Sequence, residues 1–163
     1  MAPPVVCDLD TQCYIQQYMD HDPPSGASDM RCGPLTYDGH TGTDFAIRDP
    51  RTQPKGVNVI ASAAGTIKAL RDGVPDIVYT PARASKLDGN ECGNGVLIAN
   101  DQGWETQYCH LKQGSISVNV GDTVQVGDVW EKSGCRVGRN FHTFMFLYAT
   151  METVLIHLRH LGA

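Results

Sequence analysis

A chain of 163 residues, 41% hydrophobic and 19% charged, carries enough apolar material for one globular domain with a sizeable core. The net charge of -5 argues against a broad cationic surface for nucleic acid, and no apolar run reaches the length needed to cross a membrane. The 17 glycines and 9 prolines point to many turns, hence to strands over helices.

In chain order, residues 1–30 read as a polar N-terminal extension, with a short turn of helix at 14–18 stopped by Asp22-Pro23-Pro24. No secretory signal precedes Cys7. Residues 31–132 read as the domain proper. Residues 32–44 form a glycine-rich loop running into a strand, 57–63 a strand, and 66–70 a second strand entered through a turn at Gly65. Residues 95–100 have the pattern of a buried strand. Asp101-Gln102-Gly103 then makes a hairpin turn, and 104–111 is the return strand. Valines alternate through 118–129, broken by Gly121-Asp122 and Gly127-Asp128 turns. Short strands at regular turn spacing predict a mainly β fold: a single small antiparallel domain of sandwich or barrel type with an open groove. Residues 133–163 form an atypical tail, apolar at 141–148 and weakly helical at 151–161.

Six cysteines (Cys7, Cys13, Cys32, Cys92, Cys109 and Cys135) are even in number and dispersed, which fits disulfides in an oxidising compartment. No CxxC pair supports a zinc knuckle, and the pairing is left open by the spacing.

Two places carry candidate chemistry. His40 and Asp44 are good zinc ligands in a stretch where Gly39 and Gly42 disfavour helix, so backbone can bend both toward one ion. His110, in Tyr108-Cys109-His110-Leu111, sits on a strand that can aim it into a cleft as acid, base or transition-state donor. Each alone reads more simply as a surface or half-buried polar residue. Cys109 projects to the face opposite a strand-adjacent histidine, which argues against thiol catalysis. Asn94, between Gly93 and Gly95, reads as a turn residue, with groove lining as its alternative. His21 in Asp20-His21-Asp22 reads as solvated, and His157 with His160 as packing or solvent-facing residues of the tail.

Taken together these blocks resemble, in order, the lysostaphin-like zinc metalloendopeptidases of the duplicated hybrid motif type. Residues 37–47 resemble that family's first metal motif and 59–67 the strand-turn-strand that follows it. Residues 92–98, Gly103-Trp104, 108–111 and 118–129 continue the match. The resemblance implies a small antiparallel β domain with a groove and one zinc ion. It implies His40 and Asp44 as metal ligands and His110 as a catalytic histidine. It also implies hydrolysis of peptidoglycan peptide bonds by metal-activated water, in the periplasm or outside the cell.

The family closes its site with His-x-His on a late strand; here the only counterpart is His142-Thr143-Phe144. Phe144 cannot bind zinc, so His142 is the remaining candidate for a third ligand, and impaired activity is expected. The genetic code offers an explanation. With suitable wobble bases, a frame shifted near Lys132 reads His-Val-His across codons 142–145. Such a tail was not shaped to the sheet edge beside the His110 strand. Phe141, Phe144, Met145, Phe146 and Leu147 are therefore expected to leave that edge partly open. The alternative is a catalytically inactive relative that binds peptidoglycan or regulates another cell-wall hydrolase. A lipoyl-type domain, which the Gly-Asp turns resemble, lacks its hairpin lysine.

Overall fold

The computed structural model describes residues 2–22, 25–48, 57–76 and 92–130, and the backbone of 143–149. Among the described residues, seven strands make up a single antiparallel sheet: β1 Cys13–Gln17, β2 Thr43–Ile47, β3 Gly65–Arg71, β4 Asn94–Asn100, β5 Glu105–Leu111, β6 Thr123–Val124 and β7 Thr143–Ala149. Their order across the sheet is β1-β2-β7-β5-β4-β3-β6. The expected small antiparallel β domain is what forms.

The β4–β5 hairpin is the most legible part. Val96, Leu97 and Ile98 are buried, and the turn at Asp101–Gly103 closes through Gln102 and Gly103, both at positive φ. The two Gly-Asp turns are built alike. Asp122 accepts from the amide of Asn119 and Asp128 from that of Gln125, both at 2.8 Å. Gly121 and Gly127 take φ of 93° and 89°, which a side chain would disfavour.

One face of the sheet carries the core. Phe45, Ile47, Ile67, Val96, Ile98, Tyr108 and Leu111 pack there with Val5, Val59, Ala61, Val124 and Trp130 from the covering segments. Trp130 meets Tyr108 edge to face at 5.0 Å. The Tyr108 hydroxyl accepts the Ser62 amide at 2.8 Å, so a buried polar tip is satisfied. Residues 57–63 contribute isolated bridges at Val59 and Ile60 rather than a full strand.

Two further expectations are corrected. Residues 14–18 were expected to turn as helix, but Cys13–Gln17 is an edge strand paired with β2. Cys13 is buried there, and tertiary pairing overrides a weak local signal. The strand lies within the stretch 1–30. The tail was expected to leave the edge beside β5 open, yet β7 fills the space between β2 and β5 and pairs with both. Ladder hydrogen bonds use main-chain groups and do not require the side-chain pattern to have been shaped for the place. The expected helix at 151–161 lies outside the described residues, as do Cys135, His157 and His160.

Two disulfides form among the described residues, Cys7–Cys13 and Cys92–Cys109, while Cys32 is free and exposed.

Candidate metal and catalytic site

His40 ends the loop that feeds β2, directly after Gly39 at φ 76°. Its side chain is only 1% exposed. Nδ1 lies 2.8 Å from the Tyr18 carbonyl oxygen. A carbonyl can only accept, so Nδ1 holds the proton, and in the neutral ring Nε2 presents a lone pair. That atom is buried without a hydrogen-bond partner, and Oδ1 of Asp44, one helical-turn spacing later in sequence but on a strand, is 3.4 Å away. At that distance the pair is an electrostatic contact rather than a well-made hydrogen bond.

The surroundings hold this histidine still. The Tyr37 ring stacks on it at 4.4 Å and 29°, and the Tyr37 carbonyl accepts the His40 amide. The Asp20 amide donates to the His40 carbonyl at 2.7 Å. The Asp20 carboxylate accepts from the amides of Asp22, Ser28 and Gly39, which lock the loop. Burial by itself lowers the His40 pKa. Asp44, the Tyr18 carbonyl and the Asp20 charge together outweigh burial, and the net shift is upward.

His110 reaches the same side of the sheet by an irregularity. Along β5, Tyr108 and Leu111 both belong to the core although they are three residues apart. A regular strand would put them on opposite faces. The register explains it: Asn94 pairs with Leu111 and Val96 with Tyr108, so Cys109 and His110 together oppose Gly95. His110 takes φ 61°, uncommon for a residue with a side chain. Regular alternation would have turned His110 to the core face with Tyr108. Burial lowers its pKa, and the negative charge of Asp44 acts against that. The imidazole is therefore held toward its neutral, proton-accepting form within the field of Asp44.

Position 145 of β7 stands across from Asp44 on one side and Cys109 on the other. The residue there is Met145. His142 lies outside the described residues. Among the described residues no group of three His, Cys, Asp or Glu could hold a metal ion. His40 and Asp44 nevertheless fit two positions of a zinc site: an orphaned lone pair, an adjoining carboxylate, and a second ring nitrogen tied to a backbone carbonyl.

Several contributors were not legible beforehand. Asn94 is a buried strand residue rather than a turn. Its Oδ1 accepts from Gly73 and Val74, and its Nδ2 donates to the carbonyls of Val74 and Leu111. It thereby ties the segment after β3 to the residue following His110. Tyr18 acts through its carbonyl, which no residue-type pattern reveals. Asp20 had read as part of a polar turn, with no role at His40, whereas His21 is exposed. Cys109 is committed to a disulfide.

The family model of Peptidase family M23 matches residues 38–153. No curated protein matches the chain. Among solved structures, SpoIIQ in its complex with SpoIIIAH is similar at a TM-score of 0.60 and 19% identity, with 92% of each chain covered. A mutant catalytic domain of the prophage-encoded M23 protein EnpA from Enterococcus faecalis gives 0.52 and 15%, covering 93% of this chain and 92% of that one. LytU gives 0.50 and 20%, with 94% of each chain covered. Identities this low speak to the fold alone.

Proposed function

This chain belongs to peptidase family M23, and we propose that it is a zinc metalloendopeptidase acting on peptide bonds of bacterial peptidoglycan, impaired by the loss of a third protein ligand. The observation that carries the proposal is the orphaned Nε2 of His40 beside the Asp44 carboxylate. Buried polar atoms are rarely left without a partner, and one aimed at a carboxylate suits a cation between them. His40 and Asp44 would hold the ion. A bound zinc would supply Lewis-acid polarisation of the scissile carbonyl and activation of a water. The chain's own residues do the rest. The Tyr18 carbonyl fixes the His40 tautomer, and Tyr37 walls one side of its ring. His110, held toward neutrality, accepts a proton during attack and can return it to the leaving amine. The cell envelope or the medium outside it is the matching location, and two disulfides suit an oxidising compartment. Among the described residues no helix is long and apolar enough to cross a membrane.

A second reading has one observation in its favour. Among the described residues no group of three His, Cys, Asp or Glu could hold a metal ion, where a catalytic zinc takes three protein ligands. An inactive relative that binds peptidoglycan, or regulates another wall hydrolase, would need only the groove. SpoIIQ, similar in fold, is seen in a complex with another protein.

Cleavage of glycine-rich and stem peptides, with and without a chelator, tests both. Little cleavage by the chain as it stands, gained on Met145→His and abolished by chelation, is the expected result. Chelator-sensitive cleavage already robust in the unmodified chain, and lost in His40→Ala, would show the site to be complete. No cleavage by either protein, with retention on peptidoglycan, would favour the second reading.

A further inference from the structure

Cys92, just before β4, is disulfide-bonded to Cys109 of β5, directly beside the bulge that carries His110. The His110 amide donates to the Cys92 carbonyl at 2.8 Å. One end of the cross-link is therefore the residue before His110, and the other end accepts its amide proton. The bridge is enclosed: Cys109 is 0% and Cys92 9% exposed. Gln107 donates from Nε2 to the Cys92 sulfur at 3.5 Å. Gly95, the residue that the bulge opposes, makes the room. A Cβ there would lie 2.7 Å from the Cys92 sulfur and 2.6 Å from the Tyr108 carbonyl oxygen. Beyond His110, Asn94 holds the Leu111 carbonyl at 3.3 Å.

A histidine at φ 61° is held in a sparsely populated conformation that persists only where its surroundings over-determine it. Without the bulge, His110 would fall on the face of Tyr108, away from Asp44. We propose that the Cys92–Cys109 disulfide, seated over Gly95, is the positioning device for His110. It pins the two-residue bulge and keeps the imidazole on the Asp44 face of the sheet. His110 is positioned by this cross-link, and the disulfide itself touches no substrate. The assignment of His110 as the catalytic histidine rests on the peptidase reading. Its placement by the disulfide does not, so the test is run on metal-free protein without substrate.

The readout is the His110 ring resonance in the NMR spectrum. In the disulfide-bonded chain, Asp44→Asn should shift that resonance, because the Asp44 charge acts on His110. With Cys92→Ala and Cys109→Ala together, the response to Asp44→Asn should be lost, and so should exchange protection of the His110 amide. Protection of Val96 and Ile98 should remain, showing an intact β4 core. The pair Cys7→Ala and Cys13→Ala, which removes the other disulfide, should leave the response in place. Should the first pair fail to fold, Cys92→Val with Cys109→Ala refills the lost volume and the same readout applies. A response that survives without the Cys92–Cys109 bridge overturns the proposal. So does a response lost equally with the Cys7–Cys13 bridge, or a chain that folds in neither Cys92 variant, since the bridge would then be a general staple. A failed peptidase reading would appear instead as absent zinc binding, with the His110 response intact.

Discussion

At His40, the bond from Nδ1 to the Tyr18 carbonyl decides what the other ring nitrogen can do, and the Asp44 carboxylate decides what it faces. The residue types were readable in advance. The tautomer was not, because it is set by a main-chain carbonyl far away in sequence. On the proposed reading, the place for a third ligand is likewise a matter of register, since position 145 is the one opposite Asp44. In the proposed shifted frame the second histidine codon would take its last two bases from codon 145. Met145→His should therefore tighten zinc binding by more than the roughly 10–100-fold produced by changing a residue that only hydrogen-bonds to a metal ligand. Competition against a zinc-binding dye measures this; unchanged affinity would remove position 145 as the missing ligand.

Asp29 gives a prediction of a different kind. Its carboxylate accepts amides from Gly33, Arg31 and Leu35 and holds the loop before the metal motif. The Gly33 bond, then the Arg31 bond, lower its pKa below 3.8, against a smaller opposing effect of burial, with the Leu35 bond and the Arg31 charge adding to the lowering. A depressed folded-state pKa means that this contribution is complete above 3.8 and is lost as pH falls through the lower folded value. Amide exchange at Arg31, Gly33 and Leu35 should accelerate in that acid range beyond its intrinsic pH dependence. In Asp29→Asn the extra acceleration should be absent.

At the scale of elements, the strands with strong patterns were legible and the irregularities that serve the site were not. The β4–β5 hairpin followed from a buried run, a turn and a return strand. The bulge within it depends on how Tyr108 and Leu111 both reach the core, which only the pairing reveals. A second bulge inserts Lys68 between Ile67 and Ala69 of β3, where its ammonium pairs with Glu105. β1 was misread because short segments without a clean period take their structure from the partner strand. Gly65 was read as a turn residue. It opens β3 instead, in a position where a Cβ would run into the Ala99 carbonyl and the Ile98 side chain. Backbone cannot give way cheaply, so Gly65→Ala should destabilise the fold by about 1–3 kcal/mol. A lowered midpoint in chemical denaturation, with the slope unchanged, would show it; an unchanged midpoint would mean the β3–β4 pair can spread.

For the whole molecule, the sheet order brings distant parts of the chain to one line. β7 lies between β2 and β5, so the strand of Asp44 and the strand of His110 flank it on either side. On the proposed reading, closing the site falls to β7, which lies within the residues that match the family model. A fold can survive a change of side chain there because pairing is a main-chain matter, whereas coordination depends on one side chain at one register position. The central claim is that His40 and Asp44 form the remaining half of a zinc site. Calorimetric titration of zinc into the metal-free chain, beside His40→Ala, tests it most directly. Weak binding at a single site in the unmodified chain, gone in His40→Ala, is the expected result; zinc binding that His40→Ala leaves unchanged would contradict it.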